Sequence, residues 1–207
     1  MQNVIVAGII VKMWVVMPGT LTCAVAVWIM WMAAESNAFM ADYKRLAPAK
    51  YLLLMLLVLV LDQLSKWWVL SNYQPYEVQS LLPVFNMTLV FNKGAAFSFL
   101  SDAGGWQRWF FIGLSSLVSV VLLIWLLRLK VGEQLTAWSL ALILGGALGN
   151  LVDRVRLGQV VDFLDFHWQH WHWPAFNVAD SAITVGVVLM LLSSLWPSRN
   201  SRSNKKT

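Results

Sequence analysis

The sequence predicts an α-helical integral membrane protein. The expected architecture is a four-transmembrane-helix bundle carrying a small extracytoplasmic β-sheet and a surface helix, with one further hydrophobic helix-length run at the N-terminus. Three observations predict it. Of 207 residues, 59% are hydrophobic and only 12% are charged, against about 25% charged in soluble domains. That leaves too little polar surface to cover a compact globule in water. Apolar runs of about 20 residues, the length that crosses a bilayer core, recur four times after Lys50. The cations gather at the ends of these runs. A net charge of +5 and a pI near 9.6 would suggest nucleic acid in a soluble chain. Here they read as membrane topology, and no nucleic-acid partner is expected.

The elements follow in order. Residues 1–39 form a hydrophobic extension in which Met13 to Ala34 carries no charge. It reads as an additional span, as a cleaved signal peptide, or as sequence upstream of a true start at Met40. The last reading is adopted, because cleavage near Ala34 would leave Lys44, Arg45 and Lys50 outside. The membrane domain is assigned to residues 40–198. Its spans are Tyr51 to Leu70, Trp109 to Leu127, Leu135 to Val152, and a fourth beginning near Phe176. Residues 199–207 form a basic tail.

Alternation of four helices places Lys44, Arg45, Lys50, Arg128, Lys130, Arg199, Arg202, Lys205 and Lys206 on one side. By the positive-inside rule that side is cytoplasmic. Two segments then face outward, Ser71 to Arg108 and Asp153 to Ala175. Within the first, Val84 to Phe91 is rich in β-branched and aromatic residues and runs into the turn signal Asn92-Lys93-Gly94, so a short sheet is expected. Ala95 to Leu100 suits a surface helix. Within the second, Trp168, Trp171 and Trp173 read as an interfacial aromatic belt.

The carboxylates carry the chemical information, because an ionised Asp in mid-membrane costs roughly 2.5–3.5 kcal/mol on insertion scales. Asp62 has Lys66 four residues later on the same helix face, which reads as an internal ion pair more readily than as catalysis. Asp153, followed by Arg154 and Arg156 and preceded by Asn150, reads as part of a hydrogen-bonded cluster. Asp162 and Asp180 have no cation within four residues, and both fall at the outer boundary. Two carboxylates at one depth can share a proton, one accepting from water while the other donates to a carbonyl oxygen. Equally, each can cap a helix or bond the backbone, and spacing does not decide between these readings. Asp165 is taken as an outer-surface residue.

Other patterns are weaker. The one cysteine, Cys23, excludes a disulfide framework and a cysteine-built metal site. His167, His170 and His172 read as interfacial residues, and no metal is expected. Gly145 to Gly149 carries a G-x-x-x-G spacing suited to close helix packing. Asn92 on its own reads as a turn residue.

Taken together, the ordered motifs resemble one family, the bacterial lipoprotein signal peptidases (signal peptidase II). They are Asp62-Gln63-Leu64-Ser65-Lys66, Asn92-Lys93-Gly94-Ala95-Ala96-Phe97-Ser98, Gly145 to Arg154, Val160-Val161-Asp162-Phe163 and Phe176-Asn177-Val178-Ala179-Asp180. The resemblance covers roughly Met40 to Pro197; residues 1–39 have no counterpart in the pattern. It implies an aspartic endopeptidase of the bacterial inner membrane, with its site at the periplasmic face. The implied substrate is a diacylglyceryl-modified prolipoprotein, cut before the lipidated cysteine. Asp162 and Asp180 are the implied catalytic pair. Asn92, Asn150, Arg154 and Asn177 are implied as substrate-contacting or supporting residues, Asp153 as supporting, and Asp62 and Lys66 as structural. No metal or organic cofactor is implied. A monomer in the lipid bilayer is expected, since four helices can enclose one site. The competing class is a small transporter or proton relay using the same carboxylates; a relay would need ionisable groups at several depths.

Overall fold

The computed structural model describes residues 46–94, 105–169 and 171–195. The N-terminal extension, the expected helix at Ala95 to Leu100, His170 and the basic tail lie outside them. Four helices have the length and hydropathy to cross a membrane. They are α1 (Ala49–Asn72), α2 (Trp106–Arg128), α3 (Gln134–Leu157) and α4 (Val178–Leu195). Between and after them run β1 (Val78–Leu82), β2 (Phe85–Asn92), β3 (Val160–Trp168) and β4 (Trp171–His172).

Helix α3 is the hub, touching α1, α2 and α4. Its most apolar stretch is 50% buried, against 22% for α1, 28% for α2 and 11% for α4. The glycines explain how the neighbours come so near. A Cβ on Gly149 would stand 2.5 Å from Asp62 Oδ2, and one on Gly145 would stand 2.8 Å from the Met55 carbonyl oxygen. A Cβ on Gly146 would collide with the Ala179 carbonyl oxygen of α4. Small residues substitute here for a hydrophobic driving force, which is weak between helices in lipid.

The two outward segments expected from topology join into one antiparallel sheet of order β1-β2-β3-β4. Strand β2 precedes α2 and β3 follows α3, so the sheet ties the ends of both helical excursions together. Its central register pairs Val90 with Asp162 and Asn92 with Val160, beyond an irregularity between Met87 and Val90. At the opposite end, the Leu46 N–H donates to the Leu129 carbonyl oxygen at 2.9 Å. The segment before α1 and the α2–α3 loop therefore meet, as the distribution of cations requires. Lys50 lies over the Tyr51 and Trp138 rings at that same end.

Burial on α1 falls at Tyr51, Val58, Asp62, Lys66 and Val69, a single helical stripe. Its apolar ends join two separate clusters. Tyr51 packs with Val118, Leu122, Leu126, Ala137, Leu140 and Leu144. Val69 packs with Tyr73, Leu89, Val161 and Phe163 beneath the sheet. The charged middle of the stripe lies between the two clusters, and the polar site is built around it.

Candidate active site

The site starts from Lys66, which is 2% exposed. Its ammonium lies 2.8 Å from Asp62 Oδ2 and 2.8 Å from Asp153 Oδ2. The predicted ion pair is therefore present, and Asp153 completes it. The remaining oxygens are also used. Asp62 Oδ1 accepts from the Ala179 N–H at 2.9 Å, stitching α1 to the first turn of α4. Asp153 Oδ2 accepts from the Val161 N–H at 3.2 Å, stitching α3 to β3. Gln63 Nε2 bridges Asp62 Oδ2, the Gly149 carbonyl and Asp153 Oδ1 at 3.2, 3.1 and 2.9 Å. Buried charges persist only when paired and hydrogen-bonded in this way.

One helical turn along α3, Asn150 continues the network. Its Oδ1 accepts from Lys66 Nζ at 2.9 Å, and its Nδ2 donates to Asp180 Oδ1 at 2.8 Å. Asp180 is the third residue of α4, and Asn177 immediately precedes that helix. Asn177 Oδ1 accepts from the Asp180 N–H at 2.9 Å, while Asp180 Oδ2 accepts from the Asn177 N–H at 3.3 Å. This reciprocal pair is a capping box in which Asn177 is the cap and Asp180, at the third helical position, bonds back to it, so Asp180 supports the cap rather than forming it. The cap does not use up the residue: the same carboxylate also faces Asn150.

Asn177 is the joint between the two unpaired carboxylates. Its Nδ2 donates to Asp162 Oδ1 at 2.7 Å and lies 3.2 Å from the Val161 carbonyl oxygen. The other Asp162 oxygen accepts from Asn92 Nδ2 at 3.2 Å. Asn92 is also the turn residue expected from sequence, its Oδ1 accepting from the Gly94 N–H at 3.0 Å. Asp162 is 3% exposed. Burial and then the nearby Asp180 charge push its carboxyl up from 3.8 to about 7, against the hydrogen bonds from Asn92 and Asn177.

Arg154 closes the outer edge. Its guanidinium donates to the Asn150 and Gly94 carbonyl oxygens, each at 3.3 Å, and lies 5.3 Å from the centre of the Phe111 ring. It thereby links α3, the root of the turn after β2, and α2. Arg108 of α2 donates to the Arg154 and Val155 carbonyl oxygens at 3.2 and 2.8 Å, satisfying the C-terminal end of α3.

All nine residues singled out from the sequence thus fall in one hydrogen-bonded region. Two expectations need correction. Helix α3 runs on to Leu157, so Asp153 and Arg154 belong to the helix rather than to the outer loop. Asp165 is not an outer-surface residue: it is 7% exposed. It accepts from Asn86 Nδ2 at 3.0 Å and lies 3.0 Å from His172 Nδ1. Three positions separate it from Asp162 on a strand, so the two side chains point to opposite faces. Gln63 lay inside a quoted motif without a role, and its long-range partners carried no sequence signal. Among the described residues no group of three or more His, Cys, Asp or Glu is arranged to hold a metal ion.

Comparison with known proteins gives one answer. A family model described as signal peptidase (SPase) II matches residues 54–196. The lipoprotein signal peptidase of Polynucleobacter necessarius is 51% identical over 152 residues, covering 73% of this chain and 93% of that protein. That of Shewanella halifaxensis is 55% identical over 155 residues, covering 73% and 87%. That of Pseudomonas aeruginosa is 52% identical over 155 residues, covering 74% and 92%. A solved bacterial membrane enzyme superposes with a TM-score of 0.66 at 27% identity, over 81% of this chain and 98% of that one. A second gives 0.64 at 28% identity, over 76% and 99%. The stretch matched by the family model contains every residue that builds the polar site, and the chain belongs to the signal peptidase II family.

Proposed function

We propose that this protein is an aspartic endopeptidase that cuts diacylglyceryl-modified bacterial prolipoproteins immediately before the lipidated cysteine. The coarser part, a membrane peptidase removing lipoprotein signal peptides, follows from family membership. The finer part rests on one observation: Asn177 bridges two carboxylates, Asp162 and Asp180, and burial beside Asp180 raises Asp162 to about 7. Two carboxylates so placed can share a single proton near neutral pH.

The chemistry follows from that proton. The ionised carboxylate takes a proton from water, and the oxygen attacks the scissile carbonyl carbon. The protonated carboxyl donates to the carbonyl oxygen as negative charge develops there. Collapse of the tetrahedral species breaks the C–N bond. The carboxylate takes back the proton on the former carbonyl oxygen, the other carboxyl gives the proton it took from water to the departing cysteine nitrogen, and the pair is again singly protonated. Asn92, Asn150 and Asn177 hold the carboxylates; Arg154 fixes the turn beside them. Asp62, Lys66 and Asp153 hold α1, α3, α4 and β3 in register. The reaction runs on proton transfer between the two carboxyl groups, water and the substrate, and calls for no metal or organic cofactor.

Location suits the substrate. A signal-peptide helix and two acyl chains already lie in the bilayer. The site lies at the end of the bundle opposite Lys50, Arg128 and Lys130, which by the positive-inside rule is the periplasmic face of the inner membrane. There water reaches the scissile bond. The site carboxylates Asp62, Asp153, Asp162 and Asp180 cluster at that single end, and α2 contains no acid, an arrangement that favours a peptidase over a relay. We expect a monomer.

The experiment is cleavage in detergent micelles of a prolipoprotein with and without the diacylglyceryl group, with product masses read by mass spectrometry. The expected product begins at the lipidated cysteine and forms only from the modified substrate. Cleavage elsewhere, or equal cleavage of both substrates, would overturn the assignment.

A further inference from the structure

We propose that Lys66 is a positioning residue for the Asp162–Asp180 pair, acting through the side-chain amide of Asn150. The inference rests on the dyad reading above and goes beyond the structural part that a buried ion pair plays. An ammonium has three N–H donors and no acceptor. Two of them are spent on Asp62 and Asp153. The third reaches the Asn150 amide at 2.9 Å. A salt bridge between α1 and α3 needs only the first two.

The third bond decides which way the amide faces. A donor-only group fixes the neighbouring Asn150 atom as Oδ1. The amide nitrogen is then turned to Asp180 Oδ1, 2.8 Å away. Asn177 Nδ2 reaches the same Asn150 oxygen at 3.3 Å, a longer bond. Asn177 has its own lock, the Asp180 N–H on its Oδ1, which sends its Nδ2 to Asp162. Both amides therefore offer N–H groups to the pair, an arrangement that favours the ionised member. Without the ammonium, Asn150 can turn and offer its oxygen to Asp180. That geometry suits only a protonated oxygen opposite it. Loss of Lys66 thus disfavours the singly ionised pair that takes a proton from water.

The other charged groups around the pair are Asp62 on α1 and Asp153 and Arg154 on α3. From α2 the nearest is Arg108, held by the Arg154 and Val155 carbonyls. A test must hold their net charge fixed. Lys66→Met alone leaves two buried carboxylates without their cation, so unfolding would obscure the result. Asp62→Asn gives a cluster with one cation and one anion. The triple variant Asp62→Asn/Asp153→Asn/Lys66→Met gives a cluster with neither. Both are neutral and both keep an acceptor for the Ala179 and Val161 N–H groups; they differ in the Lys66 charge and its bond to Asn150, and Asn150→Ser, which keeps the charge, separates the two.

The readout is the acid limb of kcat/KM against pH, in micelles, with the diacylglyceryl-modified substrate. The proposal expects the limb of the triple variant to lie about one to two pH units above that of Asp62→Asn, the size of one lost charge-assisted hydrogen bond. Coincident limbs would overturn it. Where the triple variant is not recovered folded, Asn150→Ser removes the relay and leaves the three charges intact. The same upward displacement is expected in a variant shown to be folded by a cooperative thermal transition, and an unchanged limb overturns the proposal. Asp162→Asn and Asp180→Asn are run beside these. Their inactivity with coincident limbs removes the positioning role alone, whereas full cleavage by either removes the dyad reading and this proposal with it.

Discussion

Replacing Asp162 by asparagine separates stability from chemistry, and the size of the effect can be worked from the site. The folded carboxyl lies at about 7 against an ordinary value of 3.8. A group whose folded value is raised contributes stability fully below the unfolded value and loses it as pH rises through the folded one. The wild-type protein therefore carries a penalty at Asp162 that grows from about pH 4 and is complete above about pH 7, of order 4 kcal/mol. An asparagine carries no such penalty. It does meet two donors, Asn177 Nδ2 and Asn92 Nδ2, on the two sides of the original carboxylate. One amide oxygen can serve only one of them, and the unmatched donor costs about 1–3 kcal/mol. The account predicts that Asp162→Asn is more stable than wild type by about 1–3 kcal/mol at pH 8, and less stable by a similar amount at pH 4. Thermal unfolding in micelles at pH 4, 6 and 8 measures this. A variant destabilised equally at every pH would refute the reasoning, since the carboxylate would then be an ordinary structural acceptor.

Two further expectations concern the scaffold and the reagents. Gly149→Ala places a Cβ against the Asp62 carboxylate and should cost about 1–3 kcal/mol in thermal unfolding. A chelator such as EDTA should leave cleavage unchanged in a dialysed sample, because the proposed steps run through carboxyl protons; loss of activity restored by a divalent ion would contradict them.

How much of this was legible in the sequence depends on the range of the interaction. The helices were legible because hydropathy and length are local properties, and Asp62 with Lys66 was legible at a spacing of four. The third acceptor of Lys66 was not, since Asn150 lies 84 positions away. Strand β2 announced itself through aromatic and β-branched residues ending in Asn92-Lys93-Gly94. Strand β3 did not: Val160 to Phe163 is buried at every position, so it lacks the alternation of a half-buried strand. Asp165 was misplaced for a related reason. Nothing near it signals that Asn86, 79 positions earlier, supplies its donor. The double duty of Asp180 was half visible, because a cap is a local motif while its contact with Asn150 is tertiary.

The measurement that tests the central claim most directly is a gel-shift cleavage assay on a diacylglyceryl-modified prolipoprotein. It compares wild type, Asp162→Asn and Asp180→Asn, each first shown to be folded and monodisperse in micelles. The account predicts cleavage by the wild type and none by either variant. Normal cleavage by either folded variant would contradict the Asp162–Asp180 pair and return attention to Asp62 and Asp153.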